Sequence, residues 1–281
     1  MKKIFSYLDF LKETNNVKRL LYSSYDWDDN VVMMPTVIHM EHLVDGEWIP
    51  EDVSTEKFAI VRKEEDEWRM TPNSFDEFRD WGAYGGDTFL EDVKIAVKKR
   101  SFGPSWSHFI KDIVDGKIFA IITSRGHEPK NLRKGVEYII YEYLNDEQKD
   151  EMLQNLMEYK EMFDENFDFL VDEYLDNCVF IGINSKWFMK TFNIDVWDRK
   201  MIEKYKEWGF EYFVKKLDEY GKQVGAKITV GFSDDDKAFA DAVKNFMGEL
   251  KLKYAMDYYV YYTTDPKNIK KIAVKTKKSN E

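Results

Sequence analysis

The chain has 281 residues, of which 43% are hydrophobic and 16% aromatic, and its formal net charge is −11. That much apolar material excludes wholesale disorder, and six prolines with 14 glycines exclude a collagen-like or low-complexity chain. No apolar run approaches the ~18 residues of a membrane span, and an acidic surface repels a polyanion, so a membrane and long nucleic acid are both disfavoured as partners.

At ~100–200 residues per domain the length admits one elaborated domain or two modest ones. The basic-then-apolar start at Lys2, Lys3 and Ile4 is interrupted by Asp9, Lys12 and Glu13, so no export signal is expected. Cys178 is the single cysteine, which rules out an intrachain disulfide and fits a reducing cytoplasm.

Short apolar runs rich in β-branched and aromatic residues predict strands at 20–25, 58–61, 118–122, 179–183, 228–232 and 258–262. Helix spacing recurs in Met152, Leu156, Tyr159 and Phe163, in Met201, Tyr205, Trp208 and Tyr212, and in Phe239, Val243 and Phe246. Strands alternating with helices predict an α/β fold, a Rossmann-like, mainly parallel sheet flanked by helices. Residues 31–115 break the alternation with turn signals and several aromatics. A connection that long needs structure of its own, and it reads as a mixed α+β, cap-like insert over one end of the sheet. The core is then 1–30 plus 116–281, with an acidic helical insertion at 141–176 on its flank and a Lys-rich, solvated strand and tail from Lys267.

Three of the strands end in residues capable of chemistry. The first runs into Asp26-Trp27-Asp28-Asp29-Asn30, where alternation sends Asp26 and Asp28 to one side. Two carboxylates there suit a nucleophile and a general acid/base. A turn or an acidic helix start is an equally open reading. A calcium loop fails, because Val31 stands where Gly is needed and Val37 where the bidentate Glu belongs. The third strand ends in Thr123, Ser124, Arg125, Gly126 and His127, a place where hydroxyls and backbone amides hold phosphate oxygens or simply cap a helix. The fifth runs into Ser233, Asp234, Asp235 and Asp236, where three consecutive acids either favour a helix N-terminus or share a hard cation.

Other signatures are absent. There is no P-loop, no Gly-x-Gly-x-x-Gly and no nucleophile elbow, and the pairs His39/His42 and His127/Glu128 lack zinc-protease spacing.

In their order, strand context and residue types, the Asp-x-Asp, Thr and paired-acid strand ends resemble the motifs of the haloacid dehalogenase (HAD) superfamily of phosphohydrolases. The resemblance covers residues 17–30 and 116–250, and it departs from the family pattern at Asn30, where Thr is usual. It implies a Mg²⁺-dependent phosphatase acting on a small phosphorylated substrate through a phosphoaspartate. Asp26 is then the nucleophile and Asp28 the acid/base. Thr123 and a motif lysine bind phosphoryl oxygens, with Ser124, Arg125 and Asn30 also on the substrate. Asp26, Asp28 (through its carbonyl), Asp234 and Asp235 hold the metal. Lys200 best fits the lysine's place, with Lys190 and Lys204 as alternatives. Ser105, Trp106 and His108 of the insert are candidate cap contacts. The rival readings are a non-catalytic HAD-like binding or structural protein, and a phosphatase of nucleic-acid ends served by Lys98, Lys99 and Arg100.

Overall fold

The structure, a computed structural model, describes residues 19–83, 87–160, 166–265 and 267–275. The chain's start, Phe163 and the terminal lysines Lys277 and Lys278 lie outside the described residues. The strands are β1 (Arg19–Tyr25), β2 (Ile38–Val44), β3 (Glu47–Val53), β4 (Trp68–Met70), β5 (Phe119–Thr123), β6 (Val179–Gly182), β7 (Lys227–Asp234), β8 (Asp257–Tyr262) and β9 (Lys270–Ala273).

Six of them form one sheet in the order β6-β5-β1-β7-β8-β9, parallel except for β9, so the α/β architecture with a mostly parallel sheet holds. The strands at its centre are buried on both faces. Every residue of β5 is buried, which is why it reads as a continuous apolar run. Alternate side chains serve two cores. Tyr25, Phe119 and Ile121 meet the helices Thr88–Lys99, Trp106–Val114, Pro129–Tyr138, Asp146–Lys160 and Phe167–Asn177. Tyr22, Ala120, Ile122, Val230 and Phe232 meet Ile202–Val224 and Lys237–Lys253 on the opposite face. The exposed β9 matches the solvated strand expected near the end of the chain. Among the described residues no helix is long and apolar enough to cross a membrane.

The structure divides the stretch 31–115. Its first part is a three-stranded antiparallel sheet, β3-β2-β4, joined at Asp45-Gly46, where both residues take the positive φ that a tight hairpin requires (52° and 85°). Ile38, Met40, Val53, Phe58, Val61 and Trp68 give this layer its own small core. Its second part, residues 88–114, is two helices that belong to the main core.

The strand expected at 58–61 is a helix, Thr55–Val61. Ser54 caps it by accepting from the Lys57 N–H, and Phe58 and Val61, three apart, are buried while Ile60 between them is 61% exposed. Helical spacing and a cap outweigh the β-branched composition here.

The insert is tied to the end of β5. The Gly126 N–H donates to the Phe78 carbonyl at 2.7 Å, and the next strand passes closely beneath the same loop. A Cβ on Gly182 would lie 2.5 Å from the His127 carbonyl oxygen and 2.8 Å from that of Arg125. Gly182→Ala should therefore displace the 125–127 loop and lower stability by about 2 kcal/mol, a change measurable by chemical denaturation. Unchanged stability would show that the loop yields freely.

Candidate functional site

From β1 the chain builds outward through β5 and β6, then returns to the other side of β1 with β7 and β8. Such a reversal opens a crevice at the carboxyl ends of the strands, the usual place for a ligand in an open α/β sheet. Asp26 directly follows β1, while Thr123 and Asp234 are the last residues of β5 and β7. Trp27 turns inward and is fully buried against Phe89 and Phe109, so Asp26 and Asp28 face the other way. The Asp26 N–H donates to the Ser233 carbonyl at 2.9 Å, which locks the start of the loop onto β7.

The lysine of the site is Lys206, and this corrects the expectation of Lys200. Lys206 is 1% exposed, and its Nζ donates to Asp26 Oδ1 at 2.9 Å and Asp234 Oδ2 at 2.8 Å. Lys200 is exposed in the turn Arg199–Met201, where only its backbone N–H is held, by Asp198. Lys204 pairs with Glu207, and Lys190 is exposed. The helix Ile202–Val224 buries Tyr205, Gly209, Phe210 and Phe213 against the sheet. Position 206 falls on that stripe and positions 200 and 204 do not. A lysine inside an apolar stripe was the available signal.

Three carboxylates surround this one ammonium. Burial opposes the charge on Lys206, but Asp234 and Asp26 hold its pKa above the ordinary range. Burial pushes Asp26 well above the usual carboxylate range, with Lys206 opposing and Asp234, Asp235 and Asp28 adding to the rise. Asp234 is raised by burial, again against Lys206, and its Oδ1 accepts from the Asp236 N–H at 2.9 Å. Asp235 is pushed up to about 7 by burial, then Asp234, then Asp29. Asp26, Asp234 and Asp235 each offer an oxygen, and these oxygens lie within 4.8 Å of one another. It is a compact, all-oxygen donor set of the kind that hard divalent cations take.

The Asp28 carboxylate has a different partner. Arg125 Nε lies 2.8 Å from Asp28 Oδ2 and Nη2 lies 2.7 Å from Oδ1, a two-pronged ion pair. Thr123 Oγ1 reaches Asp28 Oδ2 only at 3.4 Å. Arg125 is 1% exposed, stacked over Phe78 and Phe89, and its Nη2 also donates to Thr36 of the insert at 2.6 Å. Its buried Nη1 has no hydrogen-bond partner among the described residues. Ser124 is half-buried at the same strand end.

Asn30 is part of the scaffold, which corrects its expected place on the substrate. It is fully buried, and its Nδ2 donates to the carbonyls of Asp26 (3.0 Å) and Ser233 (3.1 Å). Its Oδ1 accepts from Ser105 (2.8 Å), Ser233 (3.0 Å) and Thr263 (2.7 Å). The amide thus makes the turn hydrogen bond expected of it and ties β1, β7 and the insert together. That network absorbs Ser105, while Trp106 stacks on Phe102 and His108 lies against Tyr25, so none of the three expected cap contacts is a cleft contact here. His127 is buried beside Phe89 and 3.1 Å from Thr88 Oγ1, and burial, then Arg125, lowers its pKa to about 2, so its imidazole is neutral.

No protein-family model matches the chain, and neither a curated protein nor a solved structure shows significant similarity to it.

Two outcomes follow from this geometry. Asn30→Ala should cost about 3 kcal/mol, because buried carbonyls and hydroxyls lose their partner, and urea unfolding measures the loss. Asp235 carries a raised pKa, so the folded chain binds its proton more tightly than the unfolded chain does. Stability from this group is therefore lost as pH rises from about 4 to about 7. In metal-free buffer Asp235→Asn should melt above the parent at pH 8, with the gap shrinking at pH 5. An equal gap at both pH values would contradict the assignment.

Proposed function

We propose that the protein is a Mg²⁺-dependent phosphohydrolase of the HAD type, which hydrolyses a phosphomonoester through a phosphoaspartate on Asp26. The observation that carries this reading is the joint placement of Asp26, Lys206, Asp234 and Asp235 at the crevice, with Thr123 one strand away. The donor set fits Mg²⁺, with Asp26, Asp234 and Asp235 as the residues that would hold it. A cation there offsets the repulsion between these carboxylates and an incoming phosphate.

Lys206 fixes Asp26 by one oxygen and leaves the other to attack phosphorus. As that P–O bond forms, the bond to the leaving oxygen breaks, and its electron pair takes a proton from Asp28. In the second half Asp28 accepts a proton from the attacking water, the Asp26–phosphorus bond breaks and phosphate leaves. For the first step Asp28 must be released from its two-pronged contact with Arg125. Phosphoryl oxygens compete for the same guanidinium, so a bound substrate draws Arg125 away and frees Asp28. Thr123 and Lys206 supply further donors to the phosphoryl group.

The Arg125–Asp28 pair also favours the second reading, a non-catalytic binding protein whose acid/base residue is committed to structure. Phosphate release from a panel of phosphomonoesters, with Mg²⁺ or with chelator, separates the two. The hydrolase reading expects metal-dependent turnover that falls more than ~1000-fold in Asp26→Asn. It also expects a loss of about 100-fold in Arg125→Lys, which keeps the charge but not the fork. A folded, Mg²⁺-binding chain that turns over no ester would favour the binding protein.

A further inference from the structure

Two arginines, Arg62 and Arg199, face one aromatic ring at the seam between insert and core. Arg69, Arg79, Arg125 and Arg133 each pair with a carboxylate. Arg62 and Arg199 make no ion pair among the described residues, in a chain with 53 acidic residues against 42 lysines and arginines. Both face the same ring. The Arg199 guanidinium lies 5.4 Å and that of Arg62 5.9 Å from the Phe58 centroid, and Arg199 is 5.5 Å from Phe75. Arg199 Nη1 donates to Met70 Sδ, a weak acceptor. Burial, then repulsion from Arg62, lowers the pKa of Arg199.

Two short elements lead from the cleft to the pair. The helix Thr55–Val61 begins near Asp29, whose carboxyl Thr55 acts on, and is capped at its far end by Arg62. The helix spans ~10 Å between its two ends. From the core side, Arg199 precedes Lys206 by about two helical turns, again ~10 Å. Two like charges that face one ring, each with unspent donors, suit an anion.

We propose that Arg62 and Arg199 form an anion subsite, which receives a carboxylate or second phosphate borne by the substrate at the end away from its transferred phosphoryl group. This deepens the phosphohydrolase reading and rests on it for the other end of the substrate. The acidic cleft then selects the phosphate end through its cation, and the arginines select the tail.

The test uses three alkyl phosphates of equal chain length that end in a carboxylate, a phosphate or an uncharged amide. Their binding to the full chain in its Asp26→Asn form, with Mg²⁺, is measured by calorimetry. The anionic tails should bind at least ten-fold more tightly than the amide, and the stronger of the two identifies the tail chemistry. Arg62→Gln and Arg199→Gln should each reduce that ratio toward one, Arg62→Glu should take it below one, and Arg199→Lys should retain part of it. Arg62 is exposed, so its replacement does not threaten the fold. No preference for the anionic tails, or a preference untouched by the arginine variants, would overturn the subsite. Turnover of the three esters by the parent chain is scored separately. If none is hydrolysed the hydrolase reading fails, while the tail preference still decides the subsite.

Discussion

A buried ammonium organises this molecule. Lys206 Nζ stands between Asp26 and Asp234, which come from strands lying side by side, in a place where Asp235 and Asp28 add further negative charge. Removing that many carboxylates from water is costly unless a cation lies among them. The helix Ile202–Val224 delivers it from an otherwise apolar face, pinned by Tyr205, Phe210 and Phe213. The charge is still incomplete, because one lysine serves three acids. Asp235 shows the deficit as a carboxyl pushed up to about 7. That shortfall is what the proposed cation would offset, and it gives the proposed chemistry a physical starting point.

Around the knot, polar side chains hold the loops rather than face solvent. Asn30 joins the first loop to β7 and to Ser105 of the insert, so the Asp26–Asp28 segment is held from both sides. Arg125 bridges Asp28 to Thr36, and Gly126 is bonded to Phe78, so the end of β5 and the insert are joined at two points. The small antiparallel layer is thus coupled to the residues it covers. A ligand that competes for Arg125 or Arg199 acts on core and insert together, through contacts already present in the fold.

Much of this was legible in the sequence, for reasons that can be named. Five apolar runs were readable as strands because the centre of a parallel sheet is buried on both faces. Their polar ends placed Asp26, Thr123 and Asp234 at one edge. The insert's strands were harder to read, because β3 is largely exposed and carries Glu and Pro among its apolar residues. The run at 58–61 looked like a strand, since four residues are too few to show a period, and only Ser54 upstream marked a helix. Lys206 was missed because its partners are 180 and 28 residues away, and its place on the apolar stripe of its helix was the one local signal that set it apart from Lys200 and Lys204. The Arg125–Asp28 pair spans 97 residues and was hidden for the same reason. Local alternation reports the fold, whereas the pairing of buried charges is a tertiary property.

The account stands most directly on what happens at Asp26. The decisive measurement is rapid quenching of the Mg²⁺-loaded chain during turnover of a phosphomonoester, followed by peptide mass spectrometry. The account predicts a transient, hydroxylamine-sensitive phosphoryl group on the peptide that carries Asp26. Phosphate release with no phosphorylated peptide, or with the phosphoryl group on another residue, would contradict it.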